Sequence, residues 1–298
     1  MSAKPVNVFA PAKVNLYLHI TGRLDNGYHT VDSLITFGDI GDDILVEPAE
    51  TFGFEVTGPF ASGFKDKDLD TSPQSGNLVV KAAYKLAELT GNDTALKITL
   101  TKNLPLGGGI GGGSADAAAA LWGLLEYWGA AHDTDGLDEL LISLGADVPV
   151  CFACQTLHVQ GIGEVLNPVQ HFAEMPAVLI HPGKHCSTPQ IFADFGSQFG
   201  HDLSPPPLET IDDALHFLET AENMLTQAAI RNIPEIQNVL NALESQSDCL
   251  LARMSGSGSS CFGIFETIES AEKSAAIIAQ ENPDWWVKSC WLGRTERY

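Results

Sequence analysis

A chain of 298 residues with 44% hydrophobic and 18% charged side chains is long enough for one large or two ordinary domains and too apolar to be disordered. Its 16 basic against 38 acidic side chains, a net charge of −22, argue against a nucleic-acid-binding surface. No apolar run reaches the roughly 18 to 20 residues of a membrane span, and the N-terminus MSAKPVNVFAPAK lacks the layout of a secretory leader, so the cytoplasm is the expected compartment.

The segment AKVNLYLHI alternates cleanly, with Val14, Leu16, Leu18 and Ile20 on one face and Lys13, Asn15, Tyr17 and His19 on the other. Period two over this length predicts a strand. Its polar face suits a functional site as well as a solvated outer surface. Turn residues at Asp25-Asn26-Gly27 precede more strand-like text, so the chain opens as antiparallel β. After a polar, turn-rich stretch over 58–76, NLVVKAAYKLAELTG predicts a helix stopped by Gly91. ALKITLTKNLPL then alternates again, with Leu96, Ile98 and Leu100 sharing a face.

Directly after this strand stands LPLGGGIGGGSADAAAAL, with six glycines in the seven positions 107–113. Backbone stripped of side chains this way bends sharply or approaches a ligand closely. Gly107, Gly109 and Gly112 satisfy the dinucleotide spacing G-x-G-x-x-G, but WGAAH before Asp133 and Asp135 is no buried strand to carry a ribose-binding acid. No Gly-Lys-Ser/Thr follows the glycines, which removes the P-loop reading. A purely structural turn remains, though a short turn rarely needs six glycines. The better fit is an anion cradle, in which successive N–H groups and the positive end of a helix starting near Ser114, apolar over 117–128, converge on phosphate. From Asn103 to Gly183 the chain has no Lys or Arg. Phosphate charge there must be met by backbone dipoles, a divalent cation and side chains from elsewhere, which suits a triphosphate with magnesium.

DTDGLDELLISLG predicts another amphipathic helix, after which LGADVPVCF sets Asp147 at the head of a strand-like apolar run. A carboxylate in such surroundings is costly unless paired, so Asp147 reads as a turn cap or as a buried base needing a cation. Cys151 and Cys154 form a CxxC, but no second pair completes a zinc site, and buried thiols are the expectation. The chain divides around 170–176, giving domains over 1–170 and 171–298. In the second, AVLIHPG reads as a strand, 195–207 as a surface loop, and 208–243 as a long helical region. RMSGSGSSCFGIFE reads as a loop then a strand, SAEKSAAIIAQEN as a helix and DWWVKSCWLG as a last strand. That order suits an antiparallel sheet with helices on one face.

Three segments together, PAKVNLYLHITGRLDNGYHTVDSL, LPLGGGIGGGSADAAAAL with LGADVPVCF, and SGSGSSCF, resemble the three signatures of the GHMP small-molecule kinases. The runs GRLDNGYHT, GIGEVLNPV and HPGKHCSTPQIF resemble the branch acting on a cytidine-diphosphate-linked methylerythritol. The resemblance implies an α+β fold of two domains, S5-domain-2-like at the N-terminus and ferredoxin-like at the C-terminus, with the active site in the cleft between them. It implies phosphoryl transfer from ATP, with Mg2+, to the substrate's 2-hydroxyl. By the same resemblance Asp147 is the general base and Lys13 the cation beside it. Leu106, Gly107, Gly108, Gly109, Ile110, Gly111, Gly112, Gly113 and Ser114 hold the nucleotide phosphates, with Ser114 also a magnesium contact. Asn15, Tyr28, His29, Thr188 and Phe192 grip the substrate, Tyr28 and Phe192 sandwiching the cytosine while His29 reads its edge. Two positions depart from the family pattern: Ile35, where many relatives carry an aromatic residue lining the cytidine site, and Asp116, where a neutral residue is common. The direction of Asp116 decides whether its charge suits the helix dipole or repels phosphate. The partner implied is a small-molecule substrate, with neither nucleic acid nor membrane, and the oligomeric state is left open.

Overall fold

Two long paired strands form the spine of the structure, a computed structural model that describes residues 4–294. They are β1 (Val6–Arg23) and β2 (His29–Pro48), joined at a turn in which Gly27 takes a φ of 89°. The N-terminal half continues through β3 (Gly53–Thr57), α1 (Leu78–Thr90), β4 (Leu96–Thr101), α2 (Gly112–Trp128), α3 (Leu137–Leu144), α4 (Asp147–Ala153), β5 (Leu157–Gly161) and β6 (Val165–Pro168). The C-terminal half holds β7 (Met175–His181), α5 (Thr188–Ala193), α6 (Ile211–Glu219), α7 (Thr226–Asn232), α8 (Glu235–Glu244), β8 (Cys249–Met254), β9 (Cys261–Phe265), α9 (Ile268–Glu281) and β10 (Trp286–Leu292).

One flank of β2 pairs with β1, and the other is shared between β5 at residues 31–35 and β4 at residues 43–48. The only parallel pairing among the named strands is β3 with β4. The C-terminal strands run antiparallel in the order β10-β7-β9-β8, and their β-α-β-β-α-β connection is the ferredoxin-like arrangement. The expected α+β fold is thus present. A single bridge, Leu292 to Gly38, joins the two sheets.

Several elements depart from the expectation. The region 208–243 is three helices, α6, α7 and α8, because Thr220 and Pro234 stand at its breaks. The run RMSGSGSSCFGIFE is the centre of a hairpin, β8 and β9, so it contributes two strands. VPVCF belongs to α4, with Pro149 tolerated in its first turn; a short apolar run reads equally well as buried strand or helix. The helix expected over 117–128 starts at Gly112, inside the glycine run. Residues 115–120, five alanines and Asp116, all lie at or below 4% exposure, and a Cβ on Gly123 would press on Val46 at 3.1 Å, so smallness here sets a close helix-to-sheet approach.

One core fills the N-terminal half, a second the C-terminal half, and a third lies across their junction. The junction core packs Ala12, Val14 and Leu16 of β1 against Met175, Ala177 and Leu179 of β7. The polar side chains of β1 are buried as well, Lys13 against Gly111, Asn15 against Ser33 and His19 beside His201, leaving the three at 3–4% exposure. The solvated-surface reading of that face therefore fails. No helix among the described residues is long and apolar enough to cross a membrane.

Candidate active site

Between β4 and α2 the chain passes through left-handed glycine three times, at Gly107 (φ 69°), Gly109 (72°) and Gly111 (70°). A Cβ on Gly109 would strike the carbonyl of Gly258, and one on Gly111 would lie 2.8 Å from Cβ of Lys13. The glycines thus permit close approach by two other segments as well as sharp turning. The first amide of α2 to find a helical acceptor is Ala115, which donates to Gly111 O at 2.8 Å. Ahead of it the N–H groups of Gly112, Gly113 and Ser114 are the donors a helix start offers to an anion. They border a cleft of about 400 Å³ whose far wall includes Phe64, Asn77 and Leu78. Leu106 stands at its mouth, 37% exposed, whereas the side chain of Ile110 is buried in the junction core.

Lys13 joins this loop to α4. Its backbone N–H donates to Ile110 O at 3.0 Å, and its Nζ donates to Asp147 Oδ1 at 3.0 Å. Of that pair the lysine is the buried member, with its side chain 5% exposed against 48% for Asp147. The expectation of a buried base is corrected accordingly. Because Asp147 opens α4, its carboxylate sits at the lip of the site while Lys13 reaches it from inside the fold.

Sequence reasoning missed Lys102. Its Nζ donates to Asp42 Oδ2 at 2.5 Å and to Asp116 Oδ2 at 2.6 Å, and all three side chains are 4% exposed or less. Asp42 Oδ1 in turn accepts the N–H groups of Asn103 and Leu104 at 2.6 and 2.8 Å, fixing the chain as it leaves β4. Burial drives the Asp116 carboxyl well above the usual carboxylate range, Lys102 pulling it down and Asp42 adding to the rise. Burial would lower the Lys102 ammonium, but the two carboxyls outweigh it and its pKa is raised. Asp116 therefore points inward to Lys102. The available signal was parity: 102 continues the buried face of 96, 98 and 100.

The SGSGSS turn between β8 and β9 gathers the remaining parts. Ser260 N donates to Gly108 O at 3.0 Å, Ser255 Oγ accepts from Asn15 N at 3.1 Å, and the hydroxyls of Ser257 and Thr188 lie 2.7 Å apart. Asn15 Nδ2 donates to Ser33 Oγ at 2.9 Å, while its Oδ1 is buried with no hydrogen-bond partner. A buried acceptor left open in this way suits a hydroxyl donor from a ligand. Beside the turn, burial and nearby His185 lower the His181 pKa to about 4, and its Nδ1 lies 3.2 Å from Ser259 Oγ and 3.3 Å from Ser260 Oγ.

Tyr28 and Phe192 do not form the expected sandwich. Tyr28 is 63% exposed, and the ring near Phe192 is that of His29, with centroids 5.5 Å apart. Burial, with Arg23 nearby, lowers the His29 pKa. Ile35 lies in the N-terminal core and lines no surface.

A two-sheet fold with a glycine cradle, a lysine–aspartate pair and a serine-rich turn meeting at its junction defines a small-molecule kinase, and the comparisons agree. Residues 77–155 match the GHMP kinases N terminal domain, and residues 208–284 match the GHMP kinases C terminal family. The chain belongs to the GHMP kinases, whose phosphate donor is ATP. It is 44% identical to the 4-diphosphocytidyl-2-C-methyl-D-erythritol kinase of Paramagnetospirillum magneticum, over 94% of this chain and 96% of that one. The enzyme of the same name from Roseobacter denitrificans is 43% identical, over 97% and 94%. The crystal structure of a 4-(cytidine 5'-diphospho)-2C-methyl-D-erythritol kinase superposes with a TM-score of 0.78 at 31% identity, covering 97% of this chain and 99% of that one.

Proposed function

We propose that this chain transfers the γ-phosphoryl group of ATP to the 2-hydroxyl of 4-diphosphocytidyl-2-C-methyl-D-erythritol, forming ADP and the 2-phosphate. The observation that carries the reading is the Lys13–Asp147 pair, held against the glycine loop with its carboxylate half open. Asp147 accepts the proton of the attacking hydroxyl while the oxygen bonds to the γ-phosphorus and the bond to the β-phosphate oxygen breaks. Lys13 holds the carboxylate through its hydrogen bond and offsets charge on the transferring group. The amides of 106–114 position the phosphates, which is most of what phosphoryl transfer asks of a protein. Asn15 Oδ1 accepts from a substrate hydroxyl, and Thr188, Tyr28, His29 and Phe192 serve the diphosphocytidyl end.

Magnesium fits this site through the hydroxyl of Ser114, which lines the cleft at the start of α2. Mg2+ is bound by nucleotide phosphates with only one or two protein oxygens, and when bound it neutralises phosphate charge. The test is phosphorus NMR of the protein with ATP and the cytidyl substrate. A new phosphomonoester signal coupled to the carbon bearing the 2-hydroxyl is the expected result. Turnover of homoserine, mevalonate or a sugar in its place overturns the reading.

A further inference from the structure

Four basic side chains stand against the glycine loop. A Cβ built on Gly111 would lie 2.8 Å from Lys13, one on Gly112 3.0 Å from Nζ of Lys102, and one on Gly108 3.2 Å from Nδ1 of His181. One on Gly107 would fall 2.1 Å from Nδ1 of His185, so that imidazole rests directly on the first glycine of the run. Three of the four are already committed. Lys13 donates to Asp147, and Lys102 to Asp42 and Asp116. His181 is buried beside the Ser259 and Ser260 hydroxyls, and with its pKa lowered to about 4 it is uncharged at neutral pH. His185 differs: it is exposed, and among the described residues no hydrogen bond or ion pair reaches its ring.

That leaves the loop short of positive charge. Its two lysines share theirs with three carboxylates, and the chain supplies no Lys or Arg from Asn103 to Gly183. His185 comes to the loop from the other half of the molecule and is fixed by its neighbours. On one side Lys184 O accepts from Ser259 Oγ. On the other, Cys186 Sγ donates to Ser257 O at 3.0 Å, and the hydroxyls of Thr188 and Ser257 lie 2.7 Å apart. The same serine turn braces the glycine loop, with Ser260 N donating to Gly108 O at 3.0 Å. The segment between β7 and α5 is thus tied to that turn on both sides of His185. Lys184 is engaged elsewhere, its Nζ 3.4 Å from Glu235 Oε1 of α8. Gly107 lines the cleft of about 400 Å³, which brings His185 to its rim. The proposed chemistry assigns His185 nothing.

We propose that His185 binds the phosphate chain of the nucleotide, supplying from the C-terminal half an N–H donor and a positive charge that the glycine loop lacks. The proposal rests on the reading of that loop as the nucleotide cradle. Imidazole gains charge close to neutral pH, and a phosphate beside it favours the charged form. A charge-assisted N–H bond to a phosphate oxygen is shorter and stronger than a neutral one. With no side chain on Gly107, the imidazole edge and the amides of the loop can reach the same oxygens.

The test is calorimetric titration of adenosine, ADP and ATP, with magnesium present, into wild type, His185→Ala, His185→Phe and His185→Lys. No acceptor substrate is needed. ATP binding weakens about tenfold in His185→Ala, while adenosine binding and the melting temperature stay at wild type. His185→Phe keeps a ring on Gly107 without the donor and loses as much. His185→Lys restores the charge and recovers most of the affinity. Full ATP affinity in His185→Ala or His185→Phe overturns the proposal, and so does a lysine variant no better than alanine. A loss shared equally by adenosine also overturns it, because that is what a loosened loop would give. Wild type binding ATP no more tightly than adenosine would instead overturn the cradle reading on which the proposal depends, so the two failures are distinct.

Discussion

Two lysine–carboxylate sites flank the glycine loop on successive residues, Gly111 against Lys13 and Gly112 against Lys102. Both lysines are buried, and their partners differ. Asp147 is half open to water, whereas Asp42 and Asp116 are sealed. An open carboxylate can exchange its proton with a substrate at little cost to the fold. A sealed pair is committed: its charges left water at a cost of several kcal/mol, and each depends on the others to offset it. The same two residue types thus meet opposite surroundings on the two sides of the loop, and the proposed chemistry falls on the side that solvent reaches.

The largest effect that would break this contrast is at the open site. Asp147→Asn keeps shape and removes the base, so kcat should fall by about 10²- to 10⁴-fold with little change in denaturation midpoint. Phosphorylation at the wild-type rate would strip Asp147 of its role. At the sealed site the sign of the effect moves from rate to stability. Lys102→Met leaves two buried carboxyls without a cation and should cost about 3 to 5 kcal/mol in urea denaturation. Lys13→Met leaves Asp147 its water and should cost under about 1 kcal/mol. Equal losses in the two variants would erase the distinction.

The smallest effect concerns pH. With the folded-state pKa of Asp116 raised by burial, the folded protein binds this proton more tightly than the unfolded chain. The stability this contributes is full below the ordinary carboxylate pKa and is lost as pH rises toward the raised value. Asp116→Asn removes that loss, so its midpoint should gain on wild type as pH rises from the ordinary carboxylate range toward the raised value. A difference between the two proteins that stays flat with pH would show that Asp116 is ionised throughout.

Much of the architecture was legible in one dimension. The alternation of residues 12–20, the Gly91 stop of α1, and the glycine run all describe local geometry, which neighbouring residues dictate. What misled was local ambiguity. Apolar runs such as VPVCF fit two periods, and a tight serine-glycine turn hid a hairpin. Ile35 and Tyr28 illustrate a further limit: whether a side chain faces a cleft or a core depends on which strand pairs beside it.

The sequence by itself determined that a glycine run lies at a helix start, that no Lys or Arg stands between Asn103 and Gly183, and that Lys13 and Asp147 match the family's signatures. Tertiary structure alone decided that Lys13 is the buried partner and Asp147 the open one, that Lys102 and Asp116 hydrogen-bond each other beneath the glycine loop, and that Phe195 stands edge-on to His29. The physical reason is common to all three. Residue type sets which charges and rings are available, while burial and distance set how strongly they act. Those two quantities arise only when separate segments come to pack together, whether 14 residues apart, as Lys102 and Asp116 are, or 134 apart, as Lys13 and Asp147 are.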